Sequence, residues 1–449
     1  MKPICILTFF LLLYSNSFSQ NIEFQISGIS NTTYLSEVIG ETTIIQDSFP
    51  SNPNGIYNLS LNKSKYHEGV YQFNLNNNHW INFIYDGDDI NIRTSASDII
   101  DSMHIIKSES TRLFYAFVKL NRDYKSKTKM LQLILARYPK DDDYYITTKD
   151  KLVSIQREYA DFIKSVHQNH RGSFIDGYIS SAQLPIISLE IPPENQIEYL
   201  RAHALDKVDF NDDQLIYSDV FVNKVIEYLT YYSNPQLSKE LLEKEFMTAA
   251  DVILNKAKVN QVVYKHVIEY MIDGFKKFGF DNILDYLVDN YVIKDNICLD
   301  AKSEVLINKR IDQAKILKVG TQAPNIIIPD SFGNIVDLYK IQASKILLVF
   351  YASWCPHCQD LLPKLNGLKD MKIVAISLDT SRVDWLNFVN GNSLSYLNTS
   401  DLKGWDGKAA DDYFIYATPT MFVLDSNKKI ISKPKNFEDL ESGIGKEPK

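Results

Sequence analysis

An apolar run, Ile346-Leu347-Leu348-Val349-Phe350-Tyr351, ends two residues before the pentapeptide Trp354-Cys355-Pro356-His357-Cys358. This junction constrains the chain more than any other feature, because it reads as a strand feeding into a helix with two thiols one helical turn apart. Cys355 then falls at the helix N-terminus, where unpaired backbone N–H groups and the positive end of the helix dipole favour a thiolate. Cys358, three residues on, lies under the first turn. There it is placed to attack any mixed disulfide that Cys355 forms, leaving an intramolecular disulfide behind.

A bare C-x-x-C also occurs in zinc sites, at haem attachment points and as a structural disulfide. Zinc takes about four ligands, and the remaining cysteines are Cys5, near the start of the chain, and Cys298, with no second pair. Gln359 follows Cys358, so covalent haem attachment has no imidazole to use. A disulfide between residues so close in sequence closes a small loop and constrains little. These alternatives stay open on the motif alone. No metal or other cofactor is expected at the site.

The flanking residues add ordered matches: Gly320-Thr321-Gln322-Ala323-Pro324, then Gly333-Asn334-Ile335-Val336-Asp337-Leu338, then Tyr351-Ala352-Ser353-Trp354-Cys355, Pro363 five residues after Cys358, and Ala417-Thr418-Pro419-Thr420-Met421-Phe422-Val423. Over residues 318 to 435 the chain resembles the thioredoxin superfamily, specifically its TlpA/ResA-like exported branch. The resemblance implies an α/β thioredoxin fold and thiol-disulfide exchange. Cys355 would be the nucleophile and Cys358 the resolving thiol, with Pro419 a cis proline against the dithiol. Because proline lacks an N–H, the residue before it is free to offer backbone groups to an extended substrate segment, which makes Thr418 the candidate peptide contact.

Trp354, Pro356 and His357 are the candidate redox-tuning residues. An imidazole beside the Cys355 thiolate stabilises the reduced form and makes the disulfide more oxidising. The same Cys-Pro-His-Cys tetrapeptide is found in the oxidase DsbA, at about −120 mV against about −270 mV for thioredoxin. TlpA/ResA-like proteins, in contrast, are commonly reductants, so the direction of electron flow stays open. Two carboxylates of the wider family are missing. Thioredoxins often carry Asp at the position of Val349, and ResA-like proteins often carry Glu at that of Leu361. Deprotonation of Cys358 then falls to water, the substrate or an acid elsewhere such as Asp379, a residue whose position after a strand otherwise suits a turn or cap.

The chain's 449 residues suit about three domains, and 45% hydrophobic composition is ample for packed cores. A net charge of −8 without any basic run makes nucleic acid and anionic membrane surfaces poor candidates for partners. Residues 1–19 read as a secretory leader: Lys2, an apolar stretch from Ile4 to Tyr14, and Ser17-Phe18-Ser19 as a small-x-small cleavage site. That stretch is too short to span a bilayer comfortably, so no membrane span is expected after cleavage. Export with one redox pair points to the periplasm, with a tether through an uncut leader as the alternative. Cys298 reads as a buried apolar thiol.

Residues 20–107 alternate apolar and polar positions, as in Ile22, Phe24 and Ile26, between turn signals such as Pro53-Asn54-Gly55 and Asp86-Gly87-Asp88. This predicts an antiparallel β sandwich. From 108 to 315 the period becomes helical, with stripes such as Phe221, Val225, Leu229 and Tyr232 and breaks at Pro139, Pro185, Pro192-Pro193 and Pro235. His167 and His170 read as a polar helix end, and the tyrosines as core-edge residues with wet hydroxyls. Residues 318–449 complete a multi-domain chain with a thioredoxin-like domain, where ligand chemistry belongs at the C-terminal ends of the strands. The leading function is that of an enzyme exchanging disulfides with client proteins and reset by a separate redox partner. A binding or assembly protein with a secondary redox pair is the competing class.

Overall fold

The computed structural model describes residues 19–444, apart from 30–31, 51, 53, 63–64, 77–78, 100, 296, 298 and 300–304. The leader up to residue 18, with Cys5, and Cys298 therefore lie outside the described residues. Two compact units divide the chain, Met1–Ile283 and Leu284–Lys449.

The first unit opens with eight strands: β1 (Ser19–Ser27), β2 (Thr33–Ile39), β3 (Thr42–Phe49), β4 (Ile56–Asn62), β5 (Gly69–Asn76), β6 (His79–Tyr85), β7 (Ile90–Ser95) and β8 (His104–Lys107). They form two four-stranded sheets, ordered β4-β1-β7-β8 and β3-β2-β5-β6. Alternation buries Ile22, Phe24 and Ile26 of β1, and the Phe24 ring stacks on Phe73 of β5 at 4.5 Å between centroids. The strands are not all antiparallel, because β1 runs parallel to β7 with Phe24 opposite Ile92. Alternation fixes which face is buried but is indifferent to the direction of the neighbour. Gly55, at φ +64°, is required by a close approach: a Cβ there would lie 2.0 Å from the Ile26 carbonyl oxygen.

Helices follow at Glu109–Leu135, Asp143–Asn169, Phe174–Ala182, Gln196–His203, Val220–Thr230, Lys239–Ala257 and Gln261–Lys277. Side-chain caps start several of them, with Ser108, Asp142, Ser173, Ser238 and Asn260 each accepting from a backbone N–H one turn in. All the anticipated proline breaks fall between these helices or, for Pro193, at the start of a 3₁₀ turn. His167 and His170 do not act together: His167 Nδ1 meets the buried Asp176 carboxylate at 3.1 Å, while His170 ends its helix. Many tyrosines go deeper than a wet-hydroxyl reading allows. Tyr159 donates to Asn121 at 2.7 Å, Tyr178 to Asp219 at 3.0 Å and Tyr228 to the Arg201 carbonyl at 2.7 Å. Hydropathy cannot separate a tyrosine at the core edge from one whose hydroxyl is satisfied inside, because the partner comes from another helix.

In the second unit a hairpin of β9 (Ile327–Pro329) and β10 (Ile335–Asp337) precedes a five-stranded sheet. Its strands are β11 (Lys345–Tyr351), β12 (Lys372–Ser377), β13 (Leu397–Thr399), β14 (Thr420–Asp425) and β15 (Ile430–Ser432), in the order β13-β12-β11-β14-β15. β11 is central, parallel to β12 and antiparallel to β14, and both its faces are covered. That is why its sequence is continuously apolar and not alternating. Helices Pro356–Leu365, Arg382–Gly391, Lys408–Asp412 and Phe437–Ile444 complete the fold. Among the described residues, no helix is long and apolar enough to cross a membrane.

Candidate redox site

β11 ends at Tyr351, and four residues later Cys355 caps the helix Pro356–Leu365. Pro356 takes the first helical position, where its missing N–H costs nothing and its fixed φ suits the turn. Both cysteines are free thiols. Cys355 is 6% exposed and Cys358 fully buried, while Trp354 is 59% exposed and Pro356 and His357 also face solvent. Both cysteines are thus buried, Cys358 completely and Cys355 with a small accessible remainder beside the exposed Trp354, Pro356 and His357.

The register of β11 against β14 brings in the second half of the site. Phe350 pairs with Thr420, so the loop just before β14 passes beside the start of the redox helix. The Thr418–Pro419 peptide in that loop is cis. The Cys355 thiol donates to the Thr418 carbonyl oxygen at 3.3 Å. Residues separated by 63 positions are joined here by one strand pairing.

Burial pushes the Cys358 thiol well above its usual range, and the neighbouring Cys355 adds to the rise; the Ala352 backbone and the Thr418 side chain act in the opposite direction. Val349 and Leu361 are both buried apolar residues in the same core, so these positions supply no carboxylate to the inner sulfur. Behind it, the Trp385 indole N–H donates to the Tyr351 hydroxyl at 2.9 Å. Burial raises the Tyr351 hydroxyl well beyond the normal tyrosine range, keeping it protonated.

Asp379 is more than a turn residue, because its carboxylate is engaged by Ser353 and Ser377. Buried just past β12, its carboxylate accepts from the Ser353 N–H at 3.1 Å and from the Ser353 and Ser377 hydroxyls, each at 2.6 Å. Gln359, on the redox helix, donates to the Ser353 carbonyl at 2.8 Å. Ser353 is therefore held from both sides, two residues before Cys355. Sequence reasoning passed over Ser353, Ser377, Gln359 and Trp385. The available signal was Ser377-x-Asp379 at the end of the strand next to β11, the edge where α/β sheets place their chemistry. No cluster of three or more His, Cys, Asp or Glu suited to a metal occurs among the described residues.

Residues 319–433 match the AhpC/TSA family. The thiol-disulfide oxidoreductase ResA of Bacillus thuringiensis subsp. konkukian is 28% identical over 131 residues, which cover 28% of this chain and 74% of that protein. The ResA of Bacillus subtilis is 25% identical over 118 residues, covering 25% of this chain and 64% of that protein. A thiol-disulfide oxidoreductase structure from Bacteroides fragilis aligns at 25% identity and TM-score 0.25, covering 28% of this chain and 97% of that one. Residues 319–433 of this chain thus form a thioredoxin-like domain that matches the AhpC/TSA family and is similar to the ResA thiol-disulfide oxidoreductases.

Proposed function

We propose that the chain is an exported thiol-disulfide oxidoreductase that acts on client proteins in the periplasm, with Cys355 as nucleophile and Cys358 as resolving thiol. The observation that supports this most directly is the paired placement of the sulfurs. The outer thiol sits at a helix N-terminus against the Thr418 carbonyl, and the inner one lies fully buried beneath it.

In the reducing direction the Cys355 thiolate attacks one sulfur of a client disulfide. The client's other sulfur leaves as a thiolate. That thiolate takes the Cys358 proton, and the Cys358 thiolate then attacks the Cys355 sulfur of the mixed disulfide. The client's second sulfur leaves as a thiolate and takes from solvent the proton that Cys355 had released, so the client departs as a dithiol and the enzyme is left oxidised by two electrons as a Cys355–Cys358 disulfide. The oxidising direction is the same sequence reversed. Because Val349 and Leu361 offer no base, this route draws its proton acceptor from the reacting sulfurs themselves. Thr418 and Pro419 line the position where an extended client segment lies, and Trp354, Pro356 and His357 form the exposed rim that tunes the couple.

The test is a pair of variants. Cys355→Ser abolishes insulin reduction and thiol oxidation, whereas Cys358→Ala accumulates client mixed disulfides through Cys355. Retained turnover in the first variant, or no trapped adducts in the second, removes the assignment and leaves a binding or assembly protein.

A further inference from the structure

The loop that carries Thr418 and Pro419 is gripped by side chains from outside the family-matched residues 319–433. Arg310, on the helix Val305–Ile316, is 7% exposed. It forms an ion pair with Asp285 of the helix Asp281–Leu287 and lays its guanidinium over the Tyr416 ring, 4.1 Å from the centroid. Tyr416 completes a triangle by donating its hydroxyl to the same Asp285 carboxylate at 2.9 Å. Gln313, one turn along from Arg310 and on the same face, donates its amide to the Tyr413 and Phe414 carbonyls at 3.0 and 3.2 Å. Two side chains of one helix thus fix the backbone at 413–414 and the ring at 416. The next residues are Ala417 and Thr418.

We propose that Arg310, Asp285 and Gln313 are positioning residues for recognition of an extended, disulfide-bearing polypeptide. They hold the Thr418 backbone at the place where a client strand pairs with it. This rests on the assignment of the chain as a thiol-disulfide oxidoreductase. A planar guanidinium suits the task because it stacks on a ring and pairs with a carboxylate at the same time, which an ammonium does not. Preorganising the loop matters for a client that must order against it and is irrelevant to a small disulfide with no backbone to pair.

The experiment uses the full chain and two substrates, a disulfide-bonded extended peptide and hydroxyethyl disulfide. Arg310→Met is expected to raise KM for the peptide about tenfold, the scale of one lost charge-assisted contact, with kcat/KM for the small disulfide unchanged. Arg310→Lys restores little of the loss, since it keeps the charge and loses the stack. Tyr416→Phe keeps the ring, removes the hydroxyl bond and gives a smaller rise. An unchanged peptide KM in folded Arg310→Met, or a parallel loss on both substrates, overturns the inference. If Arg310→Met does not fold, Gln313→Leu is judged by the same criterion. A wild-type chain inactive on both substrates would instead remove the oxidoreductase assignment itself.

Discussion

Replacing Asp379 with Ala isolates the clamp on the segment that precedes Cys355. The carboxylate accepts three hydrogen bonds from Ser353 and Ser377, and bonds to a charged acceptor are worth about 1.5–3 kcal/mol each. Against this gross gain stands the cost of holding a carboxylate out of water, several kcal/mol. In the variant the two serine hydroxyls can rotate to other acceptors, but the Ser353 N–H cannot. Such a donor, half-buried and left unpaired, costs about 1–3 kcal/mol at most. The expected loss is therefore about 1–3 kcal/mol, with Asp379→Asn intermediate because it keeps one acceptor oxygen. Urea unfolding followed by tryptophan fluorescence reads it well, since Trp354, Trp385 and Trp405, three of the chain's four tryptophans, lie in the unit Leu284–Lys449. With two units the transitions must be fitted separately. A loss below about 1 kcal/mol, at the low edge of one unsatisfied donor, would show that the Ser353 loop is held by Gln359 and the strand end alone.

Three further outcomes follow from the same geometry. Because burial raises the Cys358 thiol, its thiolate fraction is small near neutrality and grows with pH. In a preformed Cys355 mixed disulfide, where no departing thiolate is at hand, the resolution rate should climb about tenfold per pH unit; a flat stopped-flow profile between about pH 6 and pH 8 contradicts this. Burial lowers His266 from 6.5 to about 4, and its Nε2 has no hydrogen-bond partner. The unfolded chain therefore binds the extra proton, and stability of the first unit falls as pH drops from about 6.5 towards 4, by up to on the order of 3 kcal/mol; urea midpoints for His266→Phe should lose this dependence. Removing the imidazole in His357→Ala withdraws support from the reduced form and should lower the reduction potential by about 30 mV or more. Since His357 is exposed, stability should stay within about 0.5 kcal/mol, and an unmoved potential would leave His357 without a tuning role.

What the sequence disclosed about the fold depended on how local the cause was. The helical stretch was readable from its period because each turn repeats the same burial and prolines interrupt it at fixed places. The parallel β1–β7 pair was not, because both strands alternate in the same way whichever direction the neighbour runs. The continuous apolar run of β11 pointed correctly to a strand, which the fold then covers on both faces. Strand β13 leaves no signal in the sequence, because Leu397-Asn398-Thr399 is short and mixed in polarity, and its place depends on pairing with β12.

The candidate site divides along the same line. Cys355 and Cys358 are visible because helix geometry alone sets their separation, and the Thr418–Pro419 loop is visible because proline marks it. The groups that immobilise these atoms are not, since each is a polar residue whose meaning comes from a partner far along the chain. Ser353 needs Asp379, 26 residues on, and Tyr416 needs Asp285, 131 residues earlier. A serine or an arginine in isolation reads as solvated surface; it becomes part of a site only when the fold buries it against an unpaired partner. The sulfurs supply the electrons for exchange, and the distant polar contacts fix the backbone beside them, Ser353 two residues before Cys355 and Tyr416 two residues before Thr418. Altering the contacts should therefore change which clients are served before it changes whether the dithiol reacts.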